Sequence, residues 1–360
     1  MKNRISFLAV GQAGGNIGLK FEQKGYKVLY INTSREDLDT LGTAKFKHHI
    51  KDGEGSNHDR KKAKKAVIDD YDAISRKIIE GLDTEFVYTI FSSGGGTGSG
   101  AAPMLADLIL GDIAEDNAGK IKNVGTITIL PSLKEPVKTQ INSYECFMEL
   151  SKIKGLSSSF IIDNETGDKM VLNHQFVNTL TAYLDIPNKH KSDRGNIDKA
   201  EIMETIKVTG MNKIIQIPAK ESSTENIIEC FNKTLYAPSE NDGVIKYISV
   251  SQAGTKFDID ILQRETGMPV DVFRTYNEHS TICCLSGLTF PNTRLEKTYE
   301  VINENKDKVM KALSADTSIK VRDGIDFLQD SVRGSSVQSQ RKNSESGTRT
   351  SRRDIMDKYL

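Results

Sequence analysis

The sequence predicts an α/β protein whose N-terminal half is a doubly wound, mainly parallel sheet. Apolar runs typical of buried strands alternate with helical periodicity up to about residue 165, and strands separated by helices favour βαβ units. Polar or glycine-rich segments follow these strands, at 11–16, 32–34, 53–57, 94–100, 131–135 and 163–164. Because ligands of open parallel sheets bind beyond the carboxyl ends of the strands, we expect these segments to form one binding site.

The elements of this half follow from its apolar patterns. Apolar runs of strand length lie at 5–10, 27–31, 86–91, 124–130 and 160–162. Over 59–80, apolar residues instead recur at three- and four-residue steps. The first pattern predicts buried strands and the second predicts an amphipathic helix.

From about residue 208 the pattern changes to that of a smaller α+β domain. Strands are predicted at 213–217, 244–250, 270–276 and 280–288, and helices near 222–235, 257–266 and 294–314. The predicted division is a binding domain at 1–165, a long central helix with a following loop at 166–207, the α+β domain at 208–292, C-terminal helices at 293–330 and a tail at 331–360. With seven Lys/Arg against three Asp/Glu and few apolar residues, the tail is predicted to be disordered and basic.

The composition favours a compact globular protein. The hydrophobic fraction is 37%. Because the net charge is zero, the overall charge does not favour a protein that wraps nucleic acid. The apolar run at 5–10 is too short for a signal peptide or a membrane span, which indicates no membrane partner. The four cysteines form no C-x-x-C pair, so we expect reduced thiols in a cytoplasmic protein.

The segment Gly-Gly-Gly-Thr-Gly-Ser-Gly at 94–100 is the most informative feature of the chain. It has five glycines in seven positions and lies between an apolar strand and an apparent helix start at 101–107. Glycine has no Cβ, so the backbone can approach a bulky group closely. A glycine-rich turn that leads into a helix N-terminus suits an anion such as phosphate.

Four ordered motifs extend this signal over about two hundred residues. They are the segment at 94–100, Gly-Gln-Ala-Gly-Gly-Asn at 11–16, Gly-Glu-Gly-Ser-Asn at 53–57 and Gly-Asn-Ile-Asp-Lys-Ala-Glu at 195–201. With them the chain resembles the tubulin/FtsZ family of GTPases. The resemblance implies a GTP-binding domain at 1–165, with GTP or GDP as ligand and Mg²⁺ beside it.

The resemblance also implies a role for each segment. The diphosphate would be contacted by Gly11, Gln12, Ala13, Gly14, Gly15 and Asn16, and the phosphates wrapped by Gly94, Gly95, Gly96, Thr97 and Gly98. Gly55, Ser56 and Asn57 would lie near the terminal phosphate. Asn32 is included in the nucleotide site, although it could merely cap the following helix.

Ribose and guanine would be held by later residues. Pro131 and Glu135 correspond to the ribose-contacting segment, and Asn164 and Asn173 match the asparagines that read the guanine edge. An amide carries a donor and an acceptor, which suits that edge. The spacing also allows Asn178 in place of Asn173, and each of these polar residues could instead be an ordinary turn or helix-surface residue.

Asn196, Asp198 and Glu201 are the candidate catalytic residues. Alone, Asp198 and Glu201 could simply be solvated at a helix start, where the dipole favours acids. In the family this segment of one subunit completes the active site of the next, and its acids orient the water that attacks the γ-phosphate. Such a division implies head-to-tail filaments and hydrolysis that depends on assembly. No direct metal ligand is assigned.

Within the family the chain looks most similar to TubZ, the GTPases that segregate plasmid and phage DNA. Their basic tail engages a DNA-bound adaptor of the TubR type, which implies self-association and an indirect DNA partner. An FtsZ-like division scaffold is an alternative, and the tail could be only a solubilising appendage. A nicotinamide-dependent oxidoreductase could use the G-x-G-x-x-A pattern at 96–101, but the next strand lacks the acidic end that a ribose would require.

Overall fold

The computed structural model of the chain describes residues 1–113, 120–240 and 242–314. The tail predicted at 331–360 lies outside them. The strands of the described part are β1 Ile5–Val10, β2 Lys27–Asn32, β3 Phe46–His49, β4 Phe86–Ser92, β5 Asn123–Leu130, β6 Ser158–Asp163, β7 Gly210–Pro218, β8 Tyr247–Ala253, β9 Asp271–Asn277 and β10 Ser280–Leu288.

Helices cover both faces of these strands. They are α1 Gly11–Gln23, α2 Arg35–Asp39, α3 Arg60–Asp69, α4 Tyr71–Gly81, α5 Thr97–Leu108, α6 Val137–Leu150, α7 Lys169–Leu184, α8 Ile186–Lys189, α9 Lys199–Lys207, α10 Thr224–Lys233, α11 Ile259–Thr266 and α12 Asn292–Ser314. Among the described residues, no helix has the length and apolar character needed to cross a bilayer.

The strands form one sheet in the order β3-β2-β1-β4-β5-β6-β7-β10-β8-β9. Every pair from β3 to β7 is parallel, while β10 runs antiparallel to both β7 and β8. The strand order reverses direction at β1 and β4, so loops after these two strands diverge at a topological switch point. The predicted α/β class with a doubly wound parallel sheet is confirmed.

One apolar cluster packs on each face of the parallel strands. α1 and α7 cover one face, where Phe7, Phe21 and Phe176 are fully buried. α3, α4 and α5 cover the other face around Leu8, Phe91 and Met104. Apart from Ser6, the successive side chains of β1 alternate between these clusters, which is why a nearly continuous apolar run rather than an alternating one predicts this strand.

The second half of the chain packs around a third cluster between β7, β8, β10 and the helices α10 and α11. It joins the first half through a short parallel pairing of β6 and β7, with Ser158 opposite Gly210 and Ser159 opposite Met211. The sheet is therefore continuous across the predicted boundary at residue 208. The division into domains stays a prediction.

Candidate nucleotide site

A cleft of about 410 Å³ opens at the carboxyl ends of β1 and β4. Predicted site residues that line it are Gln12, Ala13, Gly55, Ser56, Asn57, Gly94, Gly95, Gly96, Thr97, Gly98 and Glu135. Four segments far apart in the sequence thus come together where the strand order reverses. The cleft is at the place that the sequence predicts for a ligand.

Other predicted residues lie behind or beside the cleft wall. Gly14 lies in α1 against the backbone of Ile90, and Gly15 lies against Leu41, so both glycines let the helix pack closely. Asn16 is exposed on α1. Asn32 is held within its own loop, because its amide accepts from the Ser34 N–H at 3.2 Å and donates to Asp37 at 3.1 Å. The cap of α2 is Ser34, so Asn32 does not cap that helix.

The glycines of the cleft serve two different needs. A Cβ on Gly11 would lie 3.1 Å from the backbone nitrogen of Gly98, and one on Gly96 would lie 2.8 Å from the Cα of His58. These glycines therefore allow protein loops to touch one another. A Cβ on Gly95 would meet no atom within 4 Å. The space in front of Gly95 belongs to the cleft, so only a ligand would need this position to be glycine.

Two helices begin at the cleft without a side-chain cap. Val10 before α1 and Gly96 before α5 have no side chain that can accept a hydrogen bond from the first turn of the helix. By contrast, Ser34, Asp59 and Asp168 cap the helices that follow them. The free N–H groups and the positive dipole ends of α1 and α5 suit the phosphates of a nucleotide.

A strained loop forms one wall of the cleft beside Thr97. Its Asn57 and His58 have φ values of +48° and +56°, a left-handed conformation that costs on the order of 1 kcal/mol per residue. The Thr97 hydroxyl is hydrogen-bonded to Thr33 at 2.7 Å and donates to Ser56 at 3.2 Å. The loop and the glycine segment are thus physically joined.

The other end of the cleft carries an ion pair at its mouth. Lys169, at the start of α7, lies 2.9 Å from Glu135. Nearby, Glu165 accepts hydrogen bonds from the Ser132 hydroxyl and the Leu133 N–H, and these bonds lower the pKa of its carboxyl. Glu165, which follows β6, therefore holds the backbone segment that follows β5.

The two asparagines predicted to read guanine have unpaired amide oxygens. Oδ1 of Asn164 and Oδ1 of Asn173 are buried and accept no hydrogen bond from the residues that the structure describes. Buried polar atoms are normally paired, so these oxygens fit a ligand that donates to them. Asn178 instead contacts His174 at 3.1 Å. The geometry favours Asn173 over Asn178, although neither asparagine is among the residues that line the cleft.

Sequence reasoning missed several residues around the cleft. His58, Asp37, Thr139 and Lys169 line it. Asn142 of α6 donates to loop carbonyls beside it. His58 directly follows the motif at 53–57, and this adjacency is the local signal that could have found it. Thr139 and Asn142 lie on α6, which lacks a clear apolar period and was not predicted.

Asn196, Asp198 and Glu201 lie at the opposite end of the sheet. The Lys199 carbonyl accepts from Arg4, just before β1, at 3.4 Å, and Lys207 lies 3.8 Å from Glu85, just before β4. α9 therefore lies across the amino ends of the two strands whose carboxyl ends form the cleft. The six residues of β1 separate the two places by roughly 20 Å.

The acids at the start of α9 form a capping box. Asp198 Oδ1 accepts from the N–H groups of Ala200 and Glu201, and Glu201 Oε2 accepts from the Asp198 N–H at 2.8 Å. The second oxygen of each carboxylate accepts no hydrogen bond from the residues that the structure describes. Asn196 is bonded through its whole amide to the backbone of Ser192, so its side chain shapes the loop.

Comparison with known proteins agrees with this geometry. The model of the tubulin/FtsZ family GTPase domain matches residues 4–171. These residues belong to the tubulin/FtsZ family of GTPases. The match begins just before β1 and ends in the first turn of α7, so it contains every segment that lines the cleft.

Similarity to members of this family extends beyond the matched domain. The tubulin-like protein TubZ of Clostridium botulinum C phage is 26% identical over 311 residues, which is 84% of each chain. The crystal structure of Clostridium botulinum phage c-st TubZ has a TM-score of 0.76 at 24% identity, over 86% of this chain and 100% of that chain. A GTPγS-form protofilament of Bacillus thuringiensis serovar israelensis TubZ has a TM-score of 0.73 at 14% identity, over 87% and 95%.

The protein is thus a tubulin-like GTPase, which hydrolyses GTP to GDP and phosphate. The cleft fits this ligand because it offers uncapped helix N-termini for phosphates, open space at Gly95 and, farther along, unpaired amide oxygens. The roles assigned to individual residues stay predictions.

Proposed function

We propose that this GTPase assembles head-to-tail into filaments, and that each subunit completes the active site of its neighbour. The observation that carries the proposal is the placement of the cleft and the acids at opposite ends of the same strands. A single subunit cannot bring Asp198 and Glu201 to its own nucleotide. A neighbour stacked along the strand direction would present them, and a Bacillus thuringiensis relative of the same fold forms a protofilament.

The chemistry of such an interface follows from the capping box. One oxygen of each acid is held by the helix N-terminus, which fixes the carboxylate, and the other oxygen can accept a proton from water. The oriented water attacks the γ-phosphorus, the bond from that phosphorus to the β–γ bridging oxygen breaks, and GDP and phosphate result. Free N–H groups of α1 and α5 would stabilise the charge on the phosphates.

The residues of the cleft fit Mg²⁺ only as a partner of the nucleotide. Among the described residues, no group of three or more acidic, His or Cys side chains could hold a metal by itself. Mg²⁺ usually keeps waters and binds through substrate phosphates, so the Thr97 and Ser56 hydroxyls would contribute at most part of its shell. Bound there, the ion would neutralise phosphate charge.

A mixing experiment tests the shared active site. Glu201→Gln keeps the capping hydrogen bond but removes the charge, whereas Gly95→Asp places a carboxylate in the open space for phosphate. We expect each variant alone to have low GTPase activity. An equimolar mixture should regain a substantial part of it, because the intact cleft of the first variant meets the intact acids of the second.

Controls make the result specific. Glu204→Gln, on the same helix, should hydrolyse GTP like the wild type. Added to Glu201→Gln or Gly95→Asp as a second substitution, it should not alter the activity that the mixture regains. Activity that stays at the level of the separate variants after mixing, while sedimentation shows joint polymers, would mean that the acids do not act across the interface.

We further propose that the filament segregates plasmid or phage DNA, with the basic tail at 331–360 binding a DNA-bound adaptor of the TubR type. Similarity to the phage TubZ over 84% of the chain supports this proposal. Deletion of 331–360 should leave GTP-dependent sedimentation intact and abolish adaptor binding in a pull-down. Adaptor binding that survives the deletion would contradict the assignment of the tail.

A further inference from the structure

Helix α6 carries buried polar side chains on the surface that faces the cleft loops. Gln140, Asn142 and Ser143 are completely buried and Thr139 is 7% exposed. Buried polar groups usually have hydrogen-bond partners, and the amide nitrogens of Gln140 and Asn142 find theirs on loop atoms. Gln140 donates to the carbonyls of Ser132 and Glu135, and Ser143 shares a hydrogen bond with Ser93. The helix therefore supports the cleft through polar contacts.

Asn142 is the member of this group that contacts two loops at once. Its Nδ2 donates to the carbonyl of His58 at 3.0 Å and lies 3.3 Å and 3.4 Å from those of Gly94 and Gly95. The first belongs to the strained loop and the other two belong to the glycine segment. One buried amide thus holds the two walls of the cleft together.

The strained loop needs such a restraint. Asn57 and His58 both have left-handed backbones, which persist only when the surroundings hold them. On the far side of the loop, Arg60 donates to Glu145 and Glu149 of the same helix α6. The loop is therefore held to α6 at two points, at the His58 carbonyl and at Arg60, the first residue of α3.

We propose that Asn142 is a positioning residue that sets the preference for GTP over GDP. The inference rests on the proposed placement of Gly55, Ser56 and Asn57 beside the terminal phosphate. GDP would depend mainly on the glycine segment, whereas GTP needs the glycine segment and the strained loop at a fixed separation. Removing the Nδ2 donor loosens the loop at His58, while Arg60 still holds its far side, so GTP loses contacts that GDP never makes.

The test compares two affinities in each variant. Dissociation constants for GTPγS and GDP are measured with Mg²⁺ at protein concentrations too low for assembly. Asn142→Ala should weaken GTPγS binding about tenfold, the effect of one lost hydrogen bond, and should change GDP binding less than about twofold. Asn142→Leu, which keeps the branched shape without the donor, should give the same change in the ratio of the two dissociation constants.

Ser143→Ala is the matched control, because it removes a buried hydrogen bond from the same helix without touching the strained loop. The ratio of its dissociation constants for GTPγS and GDP should equal that of the wild type even if its melting temperature falls. An unchanged ratio in a folded Asn142→Ala or Asn142→Leu protein would overturn the inference. Failure of the wild type itself to bind GTP would instead overturn the assignment of the cleft.

Discussion

At the scale of single residues, adjacent glycines of one loop are expected to behave differently. Gly95 faces open space, whereas a Cβ on Gly96 would collide with the backbone of His58. Gly95→Ala should therefore leave the unfolding free energy within about 0.5 kcal/mol of the wild type and weaken GTP binding. Gly96→Ala should lower stability by at least about 1 kcal/mol, since overpacking costs roughly 1–3 kcal/mol.

Urea denaturation and nucleotide titration of the two variants check this prediction. Equal losses of stability would contradict it, because they would show that both glycines are needed by the protein rather than by the ligand.

A buried lysine gives a residue-scale prediction in the second half of the chain. Lys213 is 1% exposed, and burial lowers its pKa from the ordinary 10.5 to about 8. Its ammonium donates to the Phe231 carbonyl and lies 3.3 Å from the Ser239 hydroxyl. Within the described ranges it forms no ion pair with a carboxylate.

The sign of the pH effect follows from this lowered pKa. Between pH 8 and 10.5 the unfolded chain keeps the proton that the folded chain releases, so Lys213 makes stability rise with pH in that window. Lys213→Met should remove this contribution. The difference in unfolding free energy between variant and wild type should therefore change by on the order of 3 kcal/mol across the window.

Urea titrations at pH 7.5, 9 and 10.5 measure that difference. Lys220→Met, which changes a largely exposed lysine, is the control and should show a nearly constant difference. Parallel pH curves for Lys213→Met and the wild type would show that burial does not perturb the ammonium.

Local sequence was sufficient for residues whose backbone makes the site. The glycine segment could be placed at the cleft because its chemistry is carried by residue type and spacing, whereas the reading of guanine by Asn164 and Asn173 stays a prediction. Asn142 could not be placed, because an asparagine within a helix has no local signal and its partners, Gly94 and His58, lie 48 and 84 residues away.

At the scale of elements, the C-terminal helix α12 is fixed to the sheet by a buried ion pair. Arg294 donates to both oxygens of Asp163, at 2.7 and 3.1 Å, and to the Pro131 carbonyl at 2.8 Å. Arg294→Met leaves the Asp163 carboxylate, which is 2% exposed, buried without a counter-charge. We expect a loss of about 3–5 kcal/mol in unfolding free energy.

The additional change Asp163→Asn should recover part of that loss, because it removes the stranded charge. Chemical denaturation of the single and double variants measures both effects. A loss below about 1 kcal/mol for Arg294→Met would show that α12 is held by its apolar contacts alone.

Element boundaries show where tertiary contacts override the local pattern. The helical period at 59–80 is interrupted at Asp70, whose carboxylate bonds to His48 and to the Lys51 N–H, so two helices replace one. The strand predicted at 244–250 is observed at Tyr247–Ala253, because Gly243 has φ +69° and pairing with β9 begins at Tyr247. Such contacts come from distant strands, which periodicity does not describe.

At the scale of the whole molecule, the continuous sheet separates binding from the proposed catalytic acids. The parallel strands fix the cleft at one end and α9 at the other, and a contact between unlike ends does not close on itself. GTPase activity per subunit should therefore rise with protein concentration up to assembly. Steady-state phosphate release measured over a hundredfold range of concentration, with sedimentation in parallel, tests this.

The Glu201→Gln variant should sediment with GTP but release little phosphate at every concentration. A constant rate per subunit from dilute to assembled protein would show that one molecule contains the complete active site.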